Sequence, residues 1–111
     1  MTIQHATAGR LRRRLSLQEA SRVTDAGGGS AESWGTVAIL WGEVRPVSGR
    51  EGASQHQLQG RVSHEIVIRH RPGVAPAMRF VEGERVYEIL AVLEHDGRKR
   101  ILNCLCEERK L

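Results

Sequence analysis

The feature that most constrains this fold is an alternation of apolar and polar residues with a period of two. It is strictest over residues 61–71 (RVSHEIVIRHR), where Val62, Ile66 and Ile68 share one parity and charged residues dominate the other. Successive side chains of a strand point to opposite faces, so this pattern predicts a strand with one buried and one wet face. No segment carries an apolar stripe with the 3.6-residue period of a helix. The chain is therefore predicted to be all-β.

Five further segments are predicted to be strands, separated by glycine, proline and aspartate residues. They are residues 10–19, 34–47, 78–81, 85–93 and 99–106. Short strands with such punctuation are typical of small barrels and sandwiches. The prediction is a small antiparallel β-barrel of about six strands, with a long loop between strands two and three.

Three of these strands carry specific expectations about burial. In the first, Leu15 and Leu17 share a parity that is interrupted by Arg13. The segment 34–47 is apolar on both parities at its centre, which predicts that Trp41 is buried. In the segment 85–93, Tyr87 is expected to share one face with Ile89, Ala91 and Leu93.

Two segments are too polar or too rich in glycine to contribute to a core. Residues 24–33 (TDAGGGSAES) are predicted to form a flexible loop. Residues 48–60 (SGREGASQHQLQG) are long for an ordinary connection, and loops of that length are usually functional or disordered.

The length of 111 residues corresponds to one domain. We expect a flexible tail at 1–9, a single domain at 10–107 and a charged tail at 108–111. No apolar run has the ~18 residues of a membrane span, and no signal peptide is visible, which predicts a cytoplasmic site of synthesis. Only four aromatic residues are present, Trp34, Trp41, Phe80 and Tyr87, which is few for a self-sufficient core. Small domains with thin cores often depend on an oligomeric partner.

The sequence lacks the motifs of the common catalytic sites, and its acidic residues fall mainly at turns or water-facing positions. Cys104 and Cys106 share a strand face, but no second cysteine pair completes a metal site, so we interpret them as core residues. His64 and His70 are interpreted as strand residues near the rim of the sheet. We expect neither an enzyme nor a cofactor or metal.

The chain is basic, with a formal net charge of +4. Its densest charge cluster is Arg10, Arg12, Arg13 and Arg14, which phosphate groups could contact. A solvated strand face is the commoner explanation of such a run, and no aromatic residue is interleaved with it to stack on bases. A small basic barrel that binds nucleic acid therefore stays as the alternative function.

Two longer motifs point to a known family. The first runs from Trp34 through Trp41 and Pro46 to the Ser-Gly-Arg-Glu sequence at 48–51, and the second is Ile68-Arg69-x-Arg71-Pro72-Gly73 followed by Met78-Arg79. Together with the basic first strand and the final Leu-Cys-Glu-Glu, they resemble the head-tail joining, or head closure (stopper), family of tailed phages, prophages and gene transfer agents. The resemblance covers residues 9–107.

This resemblance implies a barrel that assembles into a ring, dodecameric in the family, below the portal and adaptor of a virion or virus-like particle. The ring would close the DNA channel at the neck and would contact the DNA in its lumen without sequence specificity. It would also dock the tail terminator or other tail proteins. No membrane partner is implied.

The resemblance also implies roles for particular residues. The loop between strands two and three would be the channel gate. The gate residues are Ser48, Gly49, Arg50, Glu51, Gly52, Gln55, His56, Gln57, Gln59, Gly60 and Arg61. The arginines 10, 12, 13 and 14 would dock a partner, and Trp34, Trp41 and Tyr87 would serve as core or ring contacts.

Overall fold

The computed structural model describes residues 10–24, 27–47, 60–94 and 100–109. Within them the chain forms strands and no helix, which confirms the all-β prediction. The strands are β1 (Arg13–Thr24), β2 (Ser30–Pro46), β3 (His64–Arg69), β4 (Arg79–Glu82), β5 (Arg85–Glu94) and β6 (Ile101–Arg109).

The six strands close into one antiparallel barrel in the order β1-β2-β3-β6-β5-β4. The last strand lies between β3 and β5, so the order in space departs from the order in sequence. Closure is completed where β1 pairs with β4 through Ser16–Val81, Leu17–Phe80 and Gln18–Arg79. A closed sheet has no edge within the barrel wall, so its backbone groups are paired there.

The barrel interior is filled by inward-facing apolar side chains from all six strands. Leu15, Leu17, Ile66 and Ile68 lie there, as the alternation predicted. Met78, Phe80, Tyr87, Ile89, Leu102, Cys104 and Cys106 complete the buried cluster. Leu40, Val44, Val74 and Val92 pack against it.

Antiparallel order gives the barrel two different ends. β1, β3 and β5 begin at the end where β2, β4 and β6 finish, and we call this the loop end because residues 48–60 connect β2 to β3 there. At the opposite end, β1 and β2 continue past their neighbours as a two-stranded ribbon. This ribbon, which we call the arm, comprises residues 19–24 paired with residues 30–35.

The arm corrects the prediction of a flexible loop over residues 24–33. β2 begins at Ser30, which pairs with Thr24, and Gly28 has the positive φ of +87° that a tight reversal requires. Ser21 and Ser33 face each other in the arm, with their hydroxyl oxygens 3.2 Å apart. Cross-strand pairing of polar residues thus forms a hairpin where the composition suggested a loop.

The prediction that Trp41 is buried is wrong. Leu40 and Val44 of β2 face the core, but Val37, Ile39 and Trp41 lie on the outer wall and are 43%, 56% and 57% exposed. Apolar residues on both parities predicted two covered faces, but the outer face is left exposed at this part of β2, although Val67 of β3 and Leu105 of β6 are buried on the outer wall. These three side chains, which we call the β2 stripe, form an exposed apolar surface.

The expected face of β5 is also partly wrong. The pairing of β5 with β6 skips Leu90, so Ile89 pairs with Cys106 and Ala91 pairs with Leu105. A bulge of one residue reverses the parity of everything that follows it. Val92 therefore packs against the core in place of Leu93.

Because Trp41 projects outward, we expect Trp41→Ala to lower the free energy of unfolding of the isolated chain by about 1 kcal/mol or less. Phe80 is fully buried, so Phe80→Ala should cost about 3–5 kcal/mol. Urea denaturation of both variants compares the two values. A loss at Trp41 as large as that at Phe80 would contradict the outward orientation.

Gly42 marks a point of close packing between neighbouring strands. A Cβ at this buried position would lie 2.8 Å from Leu15 Cδ1 and 3.1 Å from the carbonyl oxygen of Val67. We expect Gly42→Ala to destabilise the fold by about 1–3 kcal/mol through overpacking. Gly35→Ala is the matched control, because a Cβ on Gly35 meets nothing within 4 Å. Equal unfolding midpoints for the two variants would show that the wall tolerates the added methyl group.

Candidate functional site

The loop end holds both ends of the segment expected to be the gate. The Val47 amide donates to the Ser63 carbonyl oxygen, and the Ser63 amide donates to the Cys106 carbonyl oxygen, each at 2.9 Å. Val62 is buried beside these bonds. The segment therefore leaves and returns at neighbouring points on a fixed part of the barrel wall.

Two of the predicted gate residues are described. Gly60 has a φ of +77°, which favours glycine at the point where the chain turns back toward β3. Arg61 is exposed, and its Nη2 lies 3.3 Å from Glu107 Oε1. Ser48, Gly49, Arg50, Glu51, Gly52, Gln55, His56, Gln57 and Gln59 lie outside the described residues.

A polar network on the outer wall secures the strands that carry this segment. Arg45 Nη2 donates to Glu65 Oε1 at 2.5 Å, and Asn103 Nδ2 donates to Glu65 Oε2 at 2.6 Å. The three residues stand on β2, β3 and β6. Asn103 is buried, so both charge-assisted bonds lie in a partly desolvated setting that strengthens them. The network ties together the three strands at the base of the 48–60 segment.

A layer of paired charges covers the barrel interior at the loop end. Arg13 donates through Nε and Nη2 to the two carboxylate oxygens of Glu82, and Arg85 forms the same forked contact with Glu108. The Arg85 guanidinium also lies over the buried Tyr87 ring, 5.3 Å from its centre. We call Arg13, Glu82, Arg85 and Glu108 the polar cap.

The environment of the polar cap shifts several titrating groups. The hydrogen bond from Arg13 holds the pKa of Glu82 below its ordinary value. Burial lowers the pKa of His64, whose ring packs edge-on against Tyr87 with centroids 5.0 Å apart. Burial also raises the pKa of Tyr87, whose hydroxyl has no hydrogen-bond partner in the described structure. The described polar groups at this end take part in packing and charge pairing.

The arginine cluster divides between two surfaces. Arg13 has the inward parity and is engaged in the polar cap, while Arg14 is exposed on the outer wall. Arg10 and Arg12 precede β1 and are also exposed. The cluster that is continuous in sequence is therefore not one surface in the fold.

The cysteines lie in the core, as their apolar interpretation predicted. Both are buried, and burial raises the pKa of Cys104 to about 12 and that of Cys106 well above its ordinary value. His64 is the first residue of β3 and His70 follows its last residue, and His70 Nε2 is 3.3 Å from Glu94 Oε2. In the described segments, no three His, Cys, Asp or Glu side chains lie close enough together to hold a metal ion.

The root of the arm is braced against the barrel by a polar and aromatic cluster. The Arg79 guanidinium stacks 4.0 Å from the centre of the Trp34 ring, and its Nε donates to Gln18 Oε1 at 2.8 Å. The Gln18 amide in turn lies 3.5 Å from Thr36 Oγ1. These contacts join β1, β2 and β4 where the barrel ends, so they fix the direction in which the arm leaves it.

The arm and the exposed β2 stripe are the features that sequence reasoning missed. A signal for the arm existed, because residues 18–24 and 30–36 can pair as polar strands around Gly27-Gly28-Gly29. Nothing in the sequence indicated that the outward-facing apolar side chains of β2 are exposed to solvent.

The family model for phage head completion proteins matches residues 6–109. The chain belongs to the phage head completion protein family. This confirms the family resemblance inferred from the two motifs, and it assigns the chain a structural role in head-to-tail assembly of a phage-type particle.

Two solved structures are similar to this family member. A chain in the virion of a native gene transfer agent particle is 36% identical, with a TM-score of 0.66, and the match covers 92% of this chain and 98% of that one. The solution structure of protein SF1141 from Shigella flexneri 2a is 29% identical, with a TM-score of 0.73 and coverage of 93% and 96%. No curated protein matches the sequence.

The described segments contain no helical stretch with the length and hydropathy of a membrane span.

The Arg13–Glu82 pair makes the stability of the polar cap depend on pH. The folded-state pKa of Glu82 is depressed, so its carboxylate stabilises the fold above its ordinary pKa of about 4.3, and this contribution is lost as pH falls through the folded value. We expect Glu82→Gln to be less stable than wild type at pH 7, with the difference shrinking toward pH 3. Urea denaturation of both proteins across this pH range measures the difference in their free energies of unfolding.

Glu84→Gln is the control for this experiment. Glu84 is exposed in the same β4–β5 turn and makes no ion pair among the described residues. Its substitution should leave the difference from wild type small at every pH. A Glu82→Gln difference that stays constant with pH would contradict the charge-pair explanation.

Proposed function

We propose that this head completion protein forms a ring at the neck of the particle, below the portal and adaptor, where it closes the DNA channel and docks the tail. The observation that carries the proposal is the likeness over almost the whole chain to a protein of a gene transfer agent virion, together with the family match. The role is structural and non-catalytic. The ring is dodecameric in this proposal, as the family resemblance implied.

The two unlike ends of the barrel support a connector with two docking sides. The loop end carries the polar cap and the anchors of the 48–60 segment, whereas the arm projects from the other end. A subunit placed between two different assemblies needs two different faces. The ring would therefore present chemically distinct surfaces to the adaptor and to the tail.

The 48–60 segment is proposed to be the channel gate. Its sequence is polar, contains Gly49, Gly52 and Gly60, and has Leu58 as its only large apolar residue. A segment that must change shape should contribute little to the core and be weakly held. Its two ends are held by backbone hydrogen bonds, Val47 to Ser63 and Ser63 to Cys106, which would allow the segment between them to move without disturbing the barrel.

The basic residues at the start of β1 are proposed to dock a neighbouring protein of the particle. Arg10, Arg12 and Arg14 are exposed, and Arg13 orients the strand through Glu82. The alternative of a nucleic-acid-binding barrel has less support, because arginines 13, 45, 61, 85 and 109 all contact carboxylates. These contacts lower the density of free positive charge on the barrel.

Reconstruction of the neck by cryo-electron microscopy of DNA-filled particles tests the proposal. The expected map shows a ring of this barrel around the channel, between the portal side and the tail. Location of the protein at the tail tip or on the capsid floor would refute the neck position.

Removal of residues 53–59 tests the gate. We expect the variant to fold normally, because the removed residues include only one large apolar side chain, and to produce particles that lose packaged DNA. Nuclease-protected DNA per particle is the measurement. A variant in which the same seven residues are replaced by glycine and serine separates the effect of length from that of sequence. Full retention of DNA by the shortened variant would overturn the gating role.

A further inference from the structure

We propose that the β2 stripe is the surface on which one copy of this chain receives the arm of the next copy in the ring. The inference rests on the proposed ring and specifies how its subunits touch. The stripe is Val37, Ile39 and Trp41, and the arm is residues 19–24 paired with residues 30–35. The partner is therefore a second copy of the same chain, in a head-to-tail arrangement.

The stripe lacks a cover on both its face and its edge. Its three large apolar side chains are about half exposed, which is costly in a protein that works alone. β2 pairs with β3 only from Gly42 to Pro46, so within the described structure residues 36 and 38–41 pair with β1 alone, and Val37 is skipped by that register. An apolar face beside an unpaired strand edge is the kind of surface that accepts an added strand or ribbon.

The arm is a ribbon that needs a partner. β1 pairs with β4 only over Ser16–Gln18, so residues 19–24 and 30–35 pair only with each other among the described residues. An isolated two-stranded ribbon is marginally stable in water. Six residues of strand extend about 20 Å, which is comparable with the 27–28 Å width of the molecule. The arm is thus long enough to lie across most of a neighbouring subunit.

Charges on the two surfaces are complementary. Arg14 and Arg69 flank Trp41 on the neighbouring strands β1 and β3, are exposed, and make no ion pair in the described structure. Glu19 and Glu32 on the arm are likewise exposed and make no ion pair. Arg22, which pairs with Glu32 across the arm, is the one positively charged residue among the described side chains of the arm. Arg14 and Arg69 outnumber Glu43, which follows Trp41 on the outward parity of β2, so the net negative arm fits the stripe better than a second stripe would.

The contact must join different copies. The arm and the stripe are successive parts of the same strand β2, and the Arg79–Trp34 stack holds the arm in line with the barrel, so the arm does not reach its own stripe. An interface between two unlike patches propagates from copy to copy and closes into a ring when the rotation allows it. A stripe that met another stripe would stop at a dimer.

Cysteine cross-linking in assembled particles tests this contact. Ile39→Cys marks the stripe, and Ser33→Cys or Glu32→Cys marks either face of the arm. Ser33 and Ile39 are about 20 Å apart along β2, so a short bismaleimide does not join them within one chain. The native Cys104 and Cys106 are buried, which leaves the introduced thiols as the reactive ones.

We expect at least one of the two double variants to give a ladder of chain multiples on a denaturing gel, whereas each single variant gives none. Dimers from Ile39→Cys alone would show a stripe-to-stripe contact and overturn the proposal. Products that join this chain to another virion protein, or no ladder from either double variant, would also overturn it.

A charge variant gives an independent measurement. Ile39→Glu with Trp41→Glu should leave the isolated chain folded by circular dichroism but reduce its copy number in particles at least tenfold, while Glu84→Lys at the loop end should not. Normal rings built from the double variant would overturn this interface without touching the neck role. Absence of wild-type rings from the neck would instead refute the proposed function.

Discussion

The short seam between β1 and β4 is the contact on which the rest of the structure depends. Three residue pairs close the sheet there, with Leu17 beside Phe80 on the inside. Closure turns an alternating sheet into an enclosed core, because the inward parity of every strand then meets the others. It also defines two ends, and the chain gives each of them a different surface.

The polar cap and the arm are both consequences of strand lengths around this closed wall. At the loop end, the last inward-facing residues of the strands lie beyond the apolar interior and are charged. Arg13 pairs with Glu82, and Arg85 pairs with Glu108 over the Tyr87 ring. At the other end, β1 and β2 are longer than their neighbours β4 and β3, so the residues that extend beyond those neighbours form the arm. The head completion protein thus has a self-contained core and two chemically different extensions.

Much of the wall was predictable from sequence, and the reason is local. Alternation identified the inward parity of Leu15, Leu17, Ile66 and Ile68, because side-chain direction in a strand follows from residue spacing alone. The bulge at Leu90 was not predictable, since a skipped pair depends on how β5 meets β6. The 48–60 segment was recognisable as a long polar connection, while its anchoring to Ser63 and Cys106 required the fold.

The sequence by itself determined the inward parity of β1 and β3, the turns at glycines and prolines, and the motifs that identify the family. Only the tertiary structure decided that β6 lies between β3 and β5, that Arg13 serves the polar cap, and that Trp41 faces outward. The physical reason is that alternation states which residues share a face, but not whether another part of the molecule covers that face. That depends on contacts between strands far apart in the chain, and these contacts leave Trp41 exposed on the outer wall.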